Sequence, residues 1–196
     1  MVISAADVKK LRDMTGAGMM DAKKALTESN SDFDSAVKYL REKGLADSKK
    51  RADKEANQGT IGDYIHYQQD RAVSGVLVEL ACETDFVAKS EEFKDAANQI
   101  AMHIAAMKPI YLNIENIPDA KLVEEKEIII KQSENEGKPA KLIDKIVEGR
   151  ITSFYKDTVL NEQIFCNPEI YEGKVSIMIE EMSGKLGEKI YIKQFS

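Results

Sequence analysis

The chain has 196 residues, 43% of them hydrophobic and 32% charged, with a net charge of −6, which is the balance of a globular protein with room for one or two domains. No run approaches the roughly 18 apolar residues of a membrane span. The start, Met1-Val2-Ile3-Ser4-Ala5-Ala6-Asp7, is neither a signal peptide nor an Arg-rich transit peptide, and two cysteines, Cys82 and Cys166, are too few for a disulfide framework or a zinc site. A cytoplasmic protein without membrane contact, metal or cofactor is expected. Charge is uneven: residues 1–54 hold 12 Lys+Arg against 9 Asp+Glu, so the remainder is strongly acidic. With no dense basic stripe carrying interleaved aromatics, direct nucleic-acid binding is disfavoured and a protein partner is the better expectation.

Ser4 with Asp7 three residues on reads as a capping-box variant, followed by Val8, Leu11 and Met14 at helical spacing. Gly16 should stop this helix, and Thr15-Gly16-Ala17-Gly18 form a tight connection. A second helix runs from about Met20 to Glu28 with Ala22, Ala25 and Leu26 inward. Ser31 and Asp34 repeat the start signal, Phe33, Val37 and Leu40 make a third stripe, and Gly44 is read as its end. Three short helices make a module near the lower size limit for independent folding, which points to binding. Residues 45–58, rich in Lys and Arg, read as a solvated linker or frayed extension. The boundary therefore divides residues 1–54 from 55–196.

Gly59 to Gln68 has strand character, with Ile61, Ile65 and Tyr67 on one face. Residues 69–72 turn the chain into a second, apolar strand from Val73 to Ala81, giving an antiparallel hairpin. Phe93, Ala96, Ala97, Ile100, Ala101 and Ile104 then mark one face of a helix. Between strand and helix lies Glu83-Thr84-Asp85-Phe86-Val87-Ala88. Thr84 and Asp85 sit where side-chain oxygens can cap free backbone N–H groups. Phe86 follows at a position outside the apolar face of that helix. Two readings are open on spacing alone: a capped helix start whose Phe folds onto the sheet, or an exposed Asp-Phe probe at a rigid corner.

Pro109 ends the helix, and residues 109–118 form a loop. Asp119 to about Glu134 and a stretch beginning near Pro139, with Leu142, Ile143, Ile146, Val147, Ile151 and Phe154 apolar and Arg150 interrupting, pair as a projecting helical hairpin. Residues 161–173 read as irregular. Val175 to Leu186 fits strand alternation as well as helical spacing; Gly187 supplies a stop and favours helix. Glu188 to Phe195 ends the chain as a strand. No βαβ repeat or phosphate-binding glycine loop appears, so the fold class is α+β: an N-terminal three-helix domain followed by an α+β core with a small, mostly antiparallel sheet.

A catalytic trio can be assembled on paper from Cys82, His66 and Asp85. However, Cys82 at the end of an apolar strand is more often a small core residue. Both His66 and His103 lack companions at metal spacing and read as packing residues. No enzyme is expected.

Two stretches resemble one family. Val8-Lys9-Lys10-Leu11-Arg12-Asp13-Met14-Thr15-Gly16-Ala17-Gly18-Met19-Met20-Asp21-Ala22-Lys23-Lys24-Ala25-Leu26 is similar to the opening motif of translation elongation factor Ts, and Glu83-Thr84-Asp85-Phe86-Val87-Ala88 to its second signature, in the same order and spacing. The likeness runs along the whole chain, thinning after about Pro118. It implies a ubiquitin-associated-like front domain and an α+β dimerisation core. It also implies the activity of a guanine nucleotide exchange factor for elongation factor Tu. In that picture Gly16, Ala17, Gly18, Met19 and Met20 dock on the partner's GTPase domain. Thr84, Asp85, Phe86 and Val87 wedge in near its magnesium. Long family members carry two core copies and a coiled-coil insertion, whereas residues 59–196 offer length for one. A short form acting as a homodimer is therefore implied. A ubiquitin- or peptide-binding adaptor built on the front helices is the alternative from another class.

Overall fold

The computed structural model of the chain describes residues 3–196, the side chain of Lys49 aside; Met1 and Val2, where the reading of the N-terminus begins, lie outside the described residues. Helix and sheet are mixed as expected for α+β. Helices α1 (Ala5–Thr15), α2 (Met19–Glu28) and α3 (Phe33–Lys50) come first, then strands β1 (Gln58–Gln68) and β2 (Arg71–Cys82). Helices α4 (Asp85–Lys89), α5 (Glu91–Met107), α6 (Asp119–Asn135), α7 (Ala140–Thr158) and α8 (Val175–Leu186) follow, and strand β3 (Tyr191–Phe195) ends the fold. The strands form one sheet in the order β1-β2-β3. Leu77 and Ser196 exchange N–H···O bonds of 2.9 and 3.0 Å, an antiparallel pairing. Two compact units are present: Met1–Thr60 with Leu80–Phe93 and Ile177–Tyr191, and Ile61–Glu79 with Lys94–Ser176 and Ile192–Ser196.

In the first unit the capping box forms as read. Asp7 N–H donates to Ser4 Oγ at 3.1 Å and Ser4 N–H to Asp7 Oδ2 at 3.3 Å. Val8, Leu11, Ala22, Ala25, Leu26 and Ala36 make the small core of the three helices. Two local readings are corrected. The cap of α3 is Asp32, whose Oδ1 accepts from Ser35 N–H at 2.8 Å. Ser31 instead occupies the turn with a left-handed backbone, φ 67°. Nor does α3 end at Gly44; it continues to Lys50.

The reason is a crossing with α8. A Cβ on Gly184 would stand 2.6–2.8 Å from the Gly44 backbone, so only glycine lets the two helices approach this closely. Gly44 is a contact residue rather than a stop. The ion pair of Arg41 with Glu181 flanks the crossing, and α8 itself forms over the span read as helix, closing at Gly187 with φ +71°.

In the second unit Gly62 packs so tightly on the Ala97 backbone that a side chain there would collide. Asp63, which breaks the apolar pattern, sends its N–H to Asn98 Oδ1 at 3.1 Å. His103 is fully buried and stacks on Phe165 at 5.2 Å. Its Nδ1 accepts from the Cys166 N–H, so Nε2 carries the proton and donates to Gln163 Oε1, each at 3.0 Å. Burial lowers its pKa and keeps it neutral, the packing role expected of it.

Helices α6 and α7 pair as the anticipated hairpin. Arg150, which interrupts the stripe of α7, reaches Gln132 at 3.0 Å and the Glu136 carboxylate at 3.0 and 3.1 Å. Among the described residues no helix is long and apolar enough to cross a membrane.

The glycine crossing has an asymmetric test. Helix propensity alone favours Gly→Ala by about 1 kcal/mol. At Gly184 the new methyl would strike backbone, and overpacking of that kind costs about 1–3 kcal/mol. At Gly44 a methyl would meet only ordinary contact, 3.7 Å from Gly184 Cα. Denaturant titration should therefore find Gly184→Ala less stable than the parent and Gly44→Ala equal to it or more stable. Equal effects at the two sites would contradict the crossing.

Candidate partner interface

Both stretches singled out in the sequence fall in the first unit. The first is a turn between α1 and α2. Gly16 adopts φ +69°, which suits glycine, and its N–H returns to Arg12 O at 2.7 Å, closing α1. Ala17 is half-buried, and its N–H donates to Thr15 Oγ1 at 3.3 Å. Gly18 is the N-cap of α2 and makes no side-chain cap bond. Met19 and Met20 therefore open the helix at its outer end, 50% and 76% exposed.

The second stretch is the corner between β2 and α5. It is not the smooth start of one long helix: α4 is a separate five-residue turn, and the chain breaks at Ser90. Of the two candidate caps, Thr84 is the one used, its Oγ1 accepting from Val87 N–H at 3.4 Å. Asp85 is the first helical residue, and its carboxylate takes the Lys89 ammonium at 2.6 Å. The Lys89 hydrogen bond, more than any other influence, holds the Asp85 carboxyl below the usual range. Val87 is half-buried and Ala88 buried. Phe86 is 83% exposed and does not fold onto the sheet.

What fixes this corner was not visible in the sequence. Glu188, just past α8, turns its carboxylate onto the end of β2. Its Oε2 accepts the N–H groups of Glu83 and Thr84 at 3.1 and 3.0 Å, and its Oε1 accepts the Thr84 hydroxyl at 2.5 Å. The exchange is reciprocal, because the Glu83 carboxylate accepts Lys189 N–H at 2.6 Å.

The same bend is anchored elsewhere. Ser183 Oγ donates to the Glu188 carbonyl at 2.5 Å, and the Lys189 ammonium to the carbonyls of Ala52 and Lys54 at 2.6 and 2.9 Å. Lys185 lays its aliphatic stem over Gly16, where any side chain would collide with it, and pairs with Glu92 at 2.5 Å. No local motif announces residues 183–189; the only hint was the glycine stop at Gly187 before an acidic residue.

The thiol reading finds no support. Cys82 is buried and its Sγ–H donates to Thr84 O at 3.2 Å. Burial first, and the Glu188 charge second, push its thiol up to about 11, so the nucleophilic thiolate is scarce at neutral pH. His66 is exposed, its Nδ1 lying 3.4 Å from the Tyr64 hydroxyl, while Asp85 is engaged by Lys89. Among the described residues no group of three His, Cys, Asp or Glu could hold a metal ion.

Comparison with known proteins decides the family. The profile of the family described as "Elongation factor TS" matches residues 4–170. The chain belongs to the elongation factor Ts family.

It is 49% identical over 194 residues to the Elongation factor Ts of Moorella thermoacetica, covering 99% of this chain and 93% of that protein. To that of Caldanaerobacter subterraneus subsp. tengcongensis it is 49% identical over 195 residues, covering 100% and 95%. For Thermosipho melanesiensis the identity is 46% over 194 residues, with 99% and 96% covered. These elongation factor Ts relatives are thus nearly as short as this chain. Membership makes the chain a translation elongation factor. The motifs at Gly16–Met20 and Thr84–Val87 both lie inside the matched span.

The state of Cys82 can be checked directly. A thiol at about 11, against about 8.5 for a free cysteine, holds on the order of a hundredfold less thiolate at pH 8. Iodoacetamide should label Cys82 in the folded protein at least about tenfold more slowly than in the urea-unfolded chain. Equal rates would show the thiol to be neither buried nor shifted.

Proposed function

We propose that this chain accelerates GDP release from elongation factor Tu during protein synthesis in the cytoplasm, acting without covalent chemistry. In this reading Thr84, Asp85, Phe86 and Val87 insert near the partner's magnesium and nucleotide site, while Gly16–Met20 of the front helical domain, residues 1–54, dock on its GTPase domain. The observation that carries it is Phe86: a large apolar ring 83% exposed on a five-residue turn whose backbone is bonded on both sides. A ring needed for folding would be buried; a ring held out on a fixed corner is available to a partner.

The mechanism is a coupling free energy. A factor that binds the nucleotide-free partner more tightly than the nucleotide-bound one weakens nucleotide binding by the same factor. Each factor of ten corresponds to about 1.4 kcal/mol. Burying one Phe ring contributes about 1.5–3 kcal/mol, so Phe86 alone could supply one or two tenfold steps. Asp85, ionised and on the surface, can exchange Lys89 for groups that order the partner's magnesium. Met19 and Met20 offer unbranched, polarisable side chains suited to an adaptable contact.

Two chains of this short form would act together as a homodimer through the core of residues 55–196. Supporting this, Val123, Ile128, Ile130 and Leu142 of the helical hairpin and Ile61, Ile65, Tyr67, Val73 and Leu77 of the strands are all exposed in the single chain. These exposed apolar side chains offer surface that a second copy of the chain would bury.

Stopped-flow release of labelled GDP from elongation factor Tu tests the wedge. Phe86→Ala should leave folding stability within about 1 kcal/mol, as surface changes do, and slow maximal exchange at least roughly tenfold. The Met19→Ala/Met20→Ala double variant should instead raise the factor concentration needed for half-maximal exchange, with an unchanged melting temperature. A well-folded Phe86→Ala protein that releases GDP normally would leave the wedge without support.

Sedimentation equilibrium at micromolar concentration should give twice the 21.9 kDa chain mass. An active monomer would remove the two-chain picture while leaving the wedge intact.

A further inference from the structure

The residues at the bend after α8 face no partner in the proposed function, yet they hold the corner that does. A five-residue helix cannot maintain its own geometry, because nucleating a helical turn is unfavourable and there is no length over which to recover that cost. The orientation of α4 must be imposed from outside. Glu188 is placed to impose it: one carboxylate takes two adjacent backbone N–H groups and the hydroxyl of the capping residue. Charge-assisted bonds of this kind are shorter and stronger than neutral ones. Glu188 is itself fixed, since its carbonyl accepts Ser183 Oγ and the next residue's N–H returns to Glu83. The contact closes a loop of more than a hundred residues, so it does not follow from local folding of β2 or α4.

We infer that Glu188 is a positioning residue for nucleotide exchange: its carboxylate sets the direction in which the Thr84–Val87 turn presents Phe86, without touching the partner. The inference rests on the reading of Thr84–Val87 as the exchange element. Removing the carboxylate leaves Thr84 able to cap α4 but frees the Glu83 and Thr84 amides, so the turn can pivot about the end of β2. A pivoting wedge still docks through Gly16–Met20 but enters its site less often. The loss should therefore appear in the maximal exchange rate rather than in the concentration for half-maximal exchange.

Hydrogen exchange on the free wild-type protein gives the first test. The Glu83 and Thr84 amides should exchange at least roughly tenfold more slowly than in an unstructured chain; unprotected amides there would overturn the inference without any variant. Glu188→Gln, nearly isosteric, and Glu188→Ala are then compared with Phe86→Ala in GDP release from elongation factor Tu at rising factor concentration. Glu188→Ala should lose that protection, and Glu188→Gln, whose amide oxygen still accepts but carries no charge, should weaken it. Each should lower the maximal rate, by roughly fivefold for Gln and more for Ala, with the half-maximal concentration shifted less than about twofold.

A folded Glu188→Ala protein with freed amides and the parental maximal rate, beside a slow Phe86→Ala protein, would overturn the positioning role alone. Parental rates in both would show that the wedge reading had failed first. If Glu188→Ala does not fold, Glu188→Met, similar in length and without an oxygen acceptor, decides by the same readouts.

Discussion

The contact on which the corner at Thr84–Val87 depends is one carboxylate and two peptide N–H groups. Where β2 ends, the backbone leaves the sheet before α4 has begun, and the amides of Glu83 and Thr84 have neither a strand nor a helix to bond to. Unpaired amides at such a place cost free energy unless a side chain or water takes them. Glu188 takes both and adds the Thr84 hydroxyl, while Glu83 returns a carboxylate to Lys189 N–H. The corner is thereby specified by residues from two distant stretches, each satisfying the other's backbone.

That arrangement passes the problem to α8, which has to deliver Glu188 to the right place. The close approach of Gly184 and Gly44 brings α8 against α3 at backbone distance, and a packed interface deforms little. From the same helix Glu181 pairs with Arg41, and Lys185 spans from Gly16 to Glu92. The turn carrying Met19 and Met20 and the corner carrying Phe86 thus share one scaffold, the unit formed by Met1–Thr60, Leu80–Phe93 and Ile177–Tyr191.

Local chemistry was legible in the sequence. Ser4 and Asp7 three apart form their box, the stripe from Phe93 to Ile104 is buried, and the ambiguous Val175–Leu186 is a helix ended by Gly187. The misreadings came where a distant partner overrides a local rule or where two neighbouring local signals compete. Gly44 looks like a helix stop because the glycine signal is the same whether it ends a helix or admits another one. Ser31 and Asp32 are both good caps, and the left-handed turn decides between them. Arg150 looks like a flaw in an apolar stripe until the opposite helix supplies Gln132 and Glu136. At the candidate interface, spacing alone left Phe86 open between burial on the sheet and exposure, and the structure decides for exposure. Glu188 was not readable: nothing in a single sequence relates residue 188 to residue 84, and a carboxylate after a glycine has many ordinary explanations.

In the proposed function, the separation of docking and wedge residues would have a thermodynamic reason. A partner shifts an equilibrium only by its differential affinity for the two states. Contacts through Met19 and Met20 that are equal in the nucleotide-bound and nucleotide-free forms raise occupancy and do nothing for exchange, however tight they are. The residues that drive release must gain contact only as the nucleotide site opens, and an exposed ring meets that condition only if its direction is already set. Were Phe86 free to swing, ordering it on insertion would subtract from the same roughly 1.5–3 kcal/mol that its burial supplies. Fixing the corner in the free protein places that ordering cost in folding, where it is shared with the rest of the unit, and under the proposed function would leave the burial of Phe86 to act on the partner.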